Sequence, residues 1–292
     1  MKISKLHEKK KVVFSFEIFP PKPQYPIETV YDTLEALGDL SPDFISVTYG
    51  AGGSVRENRT CELSCMMKHK LKIEPMAHLT CIGARKAGID AILADLQAGG
   101  IQNILALRGD IPEGGAPESD FTYAADLIRY IKETTDFDVA AACYPEKHTE
   151  CESLEKDIEH LKQKVDCGVG HLISQLFFHN EHFYDFCDKI EAKGITVPVT
   201  AGIMPITNQR QMERMASMCG AQIPEKYRLM MEKYGGDQAA IREAGIIYAL
   251  EQIVDLIANG VRGIHIYTMN NPLVARKISM YLQNILTSVN EA

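Results

Sequence analysis

A carboxylate inside an apolar strand, an Arg-Gly-Asp turn and a polar stretch ahead of a helix are where this 292-residue sequence could do chemistry. In Ser15-Phe16-Glu17-Ile18-Phe19-Pro20-Pro21, the period of two puts Ser15, Glu17 and Phe19 on one face and Phe14, Phe16 and Ile18 on the other. A carboxylate among aromatics is poorly solvated, which disfavours its charged form and suits a general acid; a salt-bridged structural glutamate would have the same local sequence. In Leu107-Arg108-Gly109-Asp110, the glycine lets backbone approach a flat ligand while the flanking charges offer one donor fork and one acceptor. Solvated turns carry the same tripeptide. Asp157, His160 and Lys164 share a helix face by their spacing, after Tyr144-Pro145-Glu146-Lys147-His148, as a ligand wall or as a solvated surface.

Such residues need a scaffold that gathers them. Eight short apolar runs, at 12–20, 44–49, 74–81, 103–110, 138–145, 171–178, 198–205 and 263–270, alternate with helical patterns and end in polar groups. Near-continuous hydrophobic strands alternating with helices require a parallel sheet covered on both faces, and eight such units close into a (β/α)8 TIM barrel spanning 1–292 as one domain. Barrel sites sit where strands end, which nominates Glu17, Thr48, His78, Asp110, Tyr144, Gln175 and Tyr267.

Helical patterns cover 27–40, 55–71, 89–98, 123–135, 153–167, 181–193 and 208–219, and the glycines at 168, 194 and 220 mark three of their ends. The gap before the last strand is about twice the usual repeat and holds further helices over 223–234 and 238–259. This insertion covers the active face, or it adds packing or a subunit contact. A closing helix spans 272–289.

Composition narrows the function. A net charge of −8 and no basic stripe disfavour nucleic acid, no run approaches the roughly 20 apolar residues of a membrane span, and the basic start lacks the features of an export signal. Eight scattered cysteines without a CxxC pair fit a reduced cytoplasmic chain; the zinc alternatives are His78 with Cys81, or Cys143 with His148 and Cys151. Gly50-Ala51-Gly52-Gly53-Ser54 follows a strand but matches neither dinucleotide nor P-loop spacing, and no strand interior carries a Schiff-base lysine. The dispersed strand-end groups suit a planar heterocycle better than a metal, so no metal is expected.

Six motifs, in order, resemble the bacterial type of the methylenetetrahydrofolate reductase family: Ser15 to Lys22, Val47 to Gly53, His78 to Cys81, Leu107 to Asp110, Tyr144 to His148 and His265 to Asn270. The resemblance implies a FAD enzyme that reduces 5,10-methylenetetrahydrofolate to 5-methyltetrahydrofolate, with hydride passing from the donor through flavin N5. It implies Glu17 as general acid, Asp110 beside flavin and pterin, and Gln175, Gln211 and Tyr267 on the substrate. Thr48, His78, Arg108, Gly109, Asp110, Tyr123, Ala124, Tyr144, His148, Asp157 and Lys164 match FAD contacts. The resemblance further implies NADH or NADPH, or an iron–sulfur partner protein, as electron donor, and a homo-oligomer or complex subunit is expected. Gln163 and His160 stand where the bacterial pattern often has arginine and asparagine, Met215 where it has an aromatic residue, and Asn271 where it often has arginine. A metal- or phosphate-dependent barrel lyase and a non-catalytic interaction barrel are the competing readings.

Overall fold

The apolar runs form eight parallel strands: β1 (Val13–Ile18), β2 (Phe44–Val47), β3 (Glu74–Thr80), β4 (Asn103–Leu107), β5 (Asp138–Cys143), β6 (His171–Ser174), β7 (Val199–Ile203) and β8 (Gly263–Tyr267). Each pairs with the next, and β8 pairs with β1, so the sheet is a closed barrel of the TIM type. This computed structural model describes residues 1–22, 24–49, 59–112, 114–115 and 117–292. The Gly50-to-Ser54 loop and the start of the helix expected over 55–71 lie outside the described residues.

The helical layer is α1 (Ser4–Lys9), α2 (Tyr31–Gly38), α3 (Arg59–Met66), α4 (Lys86–Ala98), α5 (Ala124–Thr134), α6 (Leu154–Asp166), α7 (Asn180–Ala192), α8 (Gln209–Cys219), α9 (Glu225–Tyr234), α10 (Gln238–Ala258) and α11 (Pro272–Glu291). Gly168, Gly194 and Gly220 follow their helices at φ 102°, 73° and 71°, the left-handed geometry anticipated for those stops. A 3₁₀ turn (Ile27–Val30) opens the second helical segment and a π turn (Met67–Leu71) closes the third, where the hydrophobic periodicity alone could not distinguish helix types. Among the described residues no helix is long and apolar enough to cross a membrane.

Strand faces divide the core in two. Phe14, Phe16 and Ile18 pack outward beneath the helices. Inward, Val13, Phe44, Met76, Leu105, Ala140 and Ile173 fill the barrel, joined by Ile3 and Leu6 from α1. The basic start is therefore a plug for the barrel's N-terminal end. Asn103 Oδ1 accepts from Ile3 N–H (2.8 Å), Asp138 Oδ2 from Ser4 N–H (2.7 Å), and the Met1 ammonium lies 2.6 Å from Glu74 Oε2. Three consecutive strands thus begin with the side chains that hold it.

The insertion before β8 consists of α8, α9 and α10. A second core of Leu176, Phe178, Ile206, Met212, Tyr227 and Met231 fastens it at the C-terminal ends of β6 and β7. α10 crosses there at Gly245, where a Cβ would stand 1.6 Å from Ile206 O, so only glycine allows the approach.

Where the plug meets β6, His7 of α1 and His171 lie with ring centroids 5.4 Å apart, and none of their nitrogens has a hydrogen-bond partner within the chain. Burial lowers both from the ordinary 6.5 to about 3, with mutual repulsion adding to His7. A depressed histidine leaves the folded chain short of a proton that the unfolded chain takes up, so stability falls as pH drops from about 6.5 toward 3. Each such group contributes a slope of about 1.4 kcal/mol per pH unit. Urea unfolding should show a lower midpoint at pH 5 than at pH 7, and His171→Leu should flatten that difference.

Candidate active site

Glu17 points inward from β1 near the C-terminal end of the barrel, its side chain 20% exposed. Its Oε2 lies 3.5 Å from His78 Nε2 on β3 and 3.8 Å from His265 Nε2 on β8. Phe14 and Phe16 pack on the outer face, as the alternation of β1 requires, Phe19 on the acid's own face is an exposed rim residue, and imidazoles and Tyr267 rather than aromatic hydrocarbons surround Glu17. Burial brings His78 down to about 4 although Glu17 pulls the other way, so His78 is neutral near pH 7.

His265 is fully buried and fixed on three sides. Its Nδ1 is 2.8 Å from Ser15 Oγ, its Nε2 is 3.2 Å from Ser46 Oγ, and its ring stacks on Phe44 with centroids 5.7 Å apart. The sequence reading missed this residue as part of the site. The signal was available, because Gly263, His265 and Tyr267 alternate inward on β8, and the register sets His265 against Ser15 and Tyr267 against Glu17.

Tyr267 donates to Ser174 O (2.7 Å), and burial, then the charge of Glu17, pushes its hydroxyl well above the phenolic range. Thr268 Oγ1 donates to Glu17 O (2.7 Å) and so ties the β8 end to the acid's own backbone.

Around this floor runs a polar rim. Thr48, Tyr144 and Gln175 stand one residue beyond their strands, and Asp110 stands further out and exposed, whereas His78 lies within β3. Gly109 has φ 89°, and a Cβ there would meet Ile82 Cγ2 at 2.7 Å, so the Arg-Gly-Asp turn requires its glycine. Arg108 makes a two-pronged pair with Glu150 at 2.6 and 2.7 Å. The side chain of Gln175 accepts from Leu176 N–H (2.8 Å). Gln211 enters from α8 and lines a 210 Å³ cavity with Pro205, Thr207, Thr268 and Asn271.

On the opposite side, the Tyr144 ring meets His148 edge-on at 4.8 Å, and Asp157 Oδ2 accepts from His148 N–H (2.8 Å). Lys164 Nζ donates to Ala142 O (2.7 Å) and lies 5.8 Å from the Tyr144 ring centre; burial lowers its pKa and raises that of Tyr144. Tyr123 and Ala124 open α5, where Asp126 in the first turn accepts from Tyr123 N–H (2.9 Å) and Thr122 N–H (3.1 Å). Gln163 faces a separate cleft between α5 and α6 with Arg129, Lys132 and Asp166.

Neither zinc grouping weighed from the sequence is assembled among the described residues. Cys81 and Cys143 belong to the helix-side core, away from the inward-facing His78. Gly202 on β7 leaves space for Tyr267: a Cβ there would stand 2.2 Å from Ser174 O and 2.6 Å from the Tyr267 hydroxyl. Gly202→Ala should cost about 1–3 kcal/mol in chemical unfolding, whereas Gly88→Ala on α4, which has nothing within 4 Å, should not destabilise the fold.

The family profile described as methylenetetrahydrofolate reductase matches residues 2–283. The 5,10-methylenetetrahydrofolate reductases of Pectobacterium carotovorum subsp. carotovorum and Escherichia coli (strain K12) are 38% and 37% identical over 257 residues, covering 88% of this chain and 85% and 86% of their own. Methylenetetrahydrofolate reductase (NADH) 1 of Arabidopsis thaliana is 34% identical over 284 residues, which are 92% of this chain and 48% of that one. Among solved structures, an uncharacterized protein from Clostridium thermocellum that binds two copies of 5-methyl-5,6,7,8-tetrahydrofolic acid aligns with a TM-score of 0.64 at 13% identity, covering 96% of this chain and 100% of that one. At that identity the likeness shows the fold.

Proposed function

The chain belongs to the methylenetetrahydrofolate reductase family, and from that membership and the barrel mouth we propose that it reduces 5,10-methylenetetrahydrofolate to 5-methyltetrahydrofolate with FAD as carrier. One observation carries the residue assignment. Glu17 is an inward carboxyl at the floor of an otherwise polar mouth, with the neutral His78 beside it and its backbone held by Thr268.

The donor set suits an anionic dinucleotide with a planar ring. Lys164 has three N–H groups and one carbonyl partner, Arg108 brings a guanidinium, and buried His78 Nε2 makes no hydrogen bond. Bound there, FAD would supply a two-electron carrier between the donor and the folate. In this reading Lys164, His148, Asp157 and Tyr144 hold one part of it, and Thr48, His78 and Arg108 to Asp110 hold another, with Tyr123 and Ala124 at the helix end.

Glu17 then gives its proton to the folate, opening the five-membered ring to the electrophile that is reduced. Asp110 accepts from the pterin, and Gln175, Gln211 and Tyr267 orient it. Glu17→Gln should retain FAD and its reduction while slowing reoxidation by methylenetetrahydrofolate by about 10²–10⁴-fold, since an amide cannot give the proton. Stopped-flow reoxidation at the wild-type rate would overturn the assignment.

The donor reading rests on Met215 and Asn271. Met215 is half-buried on α8 against the insertion core, and Asn271 spends its side-chain oxygen capping α11 at Leu273 N–H (3.2 Å). Neither offers the ring or the cation that would pack and pair with a nicotinamide dinucleotide. NADH or NADPH is therefore a weak direct donor, and an iron–sulfur protein supplies the electrons. Met215→Phe should speed flavin reduction by NADH roughly 2- to 10-fold, the equivalent of about 0.5–1.5 kcal/mol of aromatic contact; an unchanged rate would remove Met215 from the donor site.

A further inference from the structure

Of the chemistry-bearing groups outside the Glu17 floor, one has the composition of a metal site. Among the described residues, Cys151, Asp157 and His160 bring a sulfur, a carboxylate oxygen and an imidazole nitrogen within 4.8 Å of one another. Asp157 and His160 lie on one face of α6, three residues apart, and Cys151 stands in the turn just before that helix. The turn is built: Cys151 N–H donates to His148 O (2.9 Å), Lys147 Nζ donates to Cys151 O (2.7 Å), and Ser153 caps the helix by accepting from Lys156 N–H (3.2 Å). Asp157 gives one oxygen to His148 N–H and keeps the other available.

We propose that Cys151, Asp157 and His160 bind one borderline divalent cation of the Zn²⁺ class. Thiolate, imidazole and carboxylate together select Zn²⁺ or Co²⁺ over Mg²⁺ and Ca²⁺, which prefer oxygen alone. Three protein ligands leave one of four tetrahedral positions for water or a ligand oxygen. On binding, the Cys151 thiol loses its proton to solvent and the sulfur forms the metal bond, so affinity rises with pH. A thiol and an imidazole that read from the sequence as an alternative grouping and a surface face are thereby placed on one ion. Asp157 is shared with the proposed cofactor set whereas Cys151 and His160 are not, and metal binding is measured without turnover, so its failure is distinguishable from failure of the flavin reading.

The test uses the full chain as purified, treated with chelator, desalted and titrated with Co²⁺. We expect one Co²⁺ per chain and a thiolate-to-cobalt charge-transfer band that Zn²⁺ bleaches and Mg²⁺ does not. Cys151→Ser should abolish the band, and His160→Ala should weaken binding by at least roughly tenfold while keeping it, since losing a ligand costs no less than losing an outer partner. Absence of the band, or a band undiminished in Cys151→Ser, would overturn the proposal, the latter by assigning the metal to another thiol.

Discussion

The pairing of β8 with β1 holds everything else in place. Its register, Ser15 opposite His265 and Glu17 opposite Tyr267, joins residues about 250 positions apart and decides which side chains share the barrel interior. A slip of one residue would turn Glu17 into the helix layer and Phe16 into the mouth. Ser15, one step below the acid on the same face, is hydrogen-bonded to His265, so the contact that closes the sheet also orients the imidazole facing Glu17. The chemistry and the closure share their atoms.

The interior shows how a barrel accommodates polar groups without solvent. His265 is matched by two serine hydroxyls and the Tyr267 hydroxyl by a backbone carbonyl, so these buried groups keep partners at little net cost. His78 is kept uncharged instead. Space is allotted in the same way: Gly202 and Gly263 are the inward residues beside the bulky β8 side chains, and a Cβ at either would meet its neighbours at less than 3 Å. The rim differs in kind. Arg108, Asp110, Lys164 and Gln175 lie on loops and helix faces, where a ligand can replace their present partners.

Hydrophobic runs made the eight strands, their order and the insertion legible, because burial on both faces leaves an unbroken apolar signature. The same signature made the runs look longer than the strands: Asp110, Tyr144 and Gln175 lie beyond the ends of β4, β5 and β6 although the runs read from the sequence continue through them. The alternation on β1 was read correctly, but what faces Glu17 comes from strands far along the chain, and one sequence does not show which residues meet across a barrel. His265 was visible only as part of a motif until register put it beside Ser15. The plug was hidden for another reason, since six helical residues carry too short a period to stand out.

That plug also orders events in time. α1 is made before the groups that hold it, on Glu74, Asn103 and Asp138, which follow dozens of residues later, and a six-residue helix has little stability alone. Likewise β1 has a free edge until β8 has been synthesised. During translation α1 must therefore wait unpaired while most of the barrel is made, and the nascent barrel shows an open hydrophobic edge until β8 emerges. Closure is the last pairing available to the barrel, and the interval before it is when this sheet most needs shielding from its neighbours.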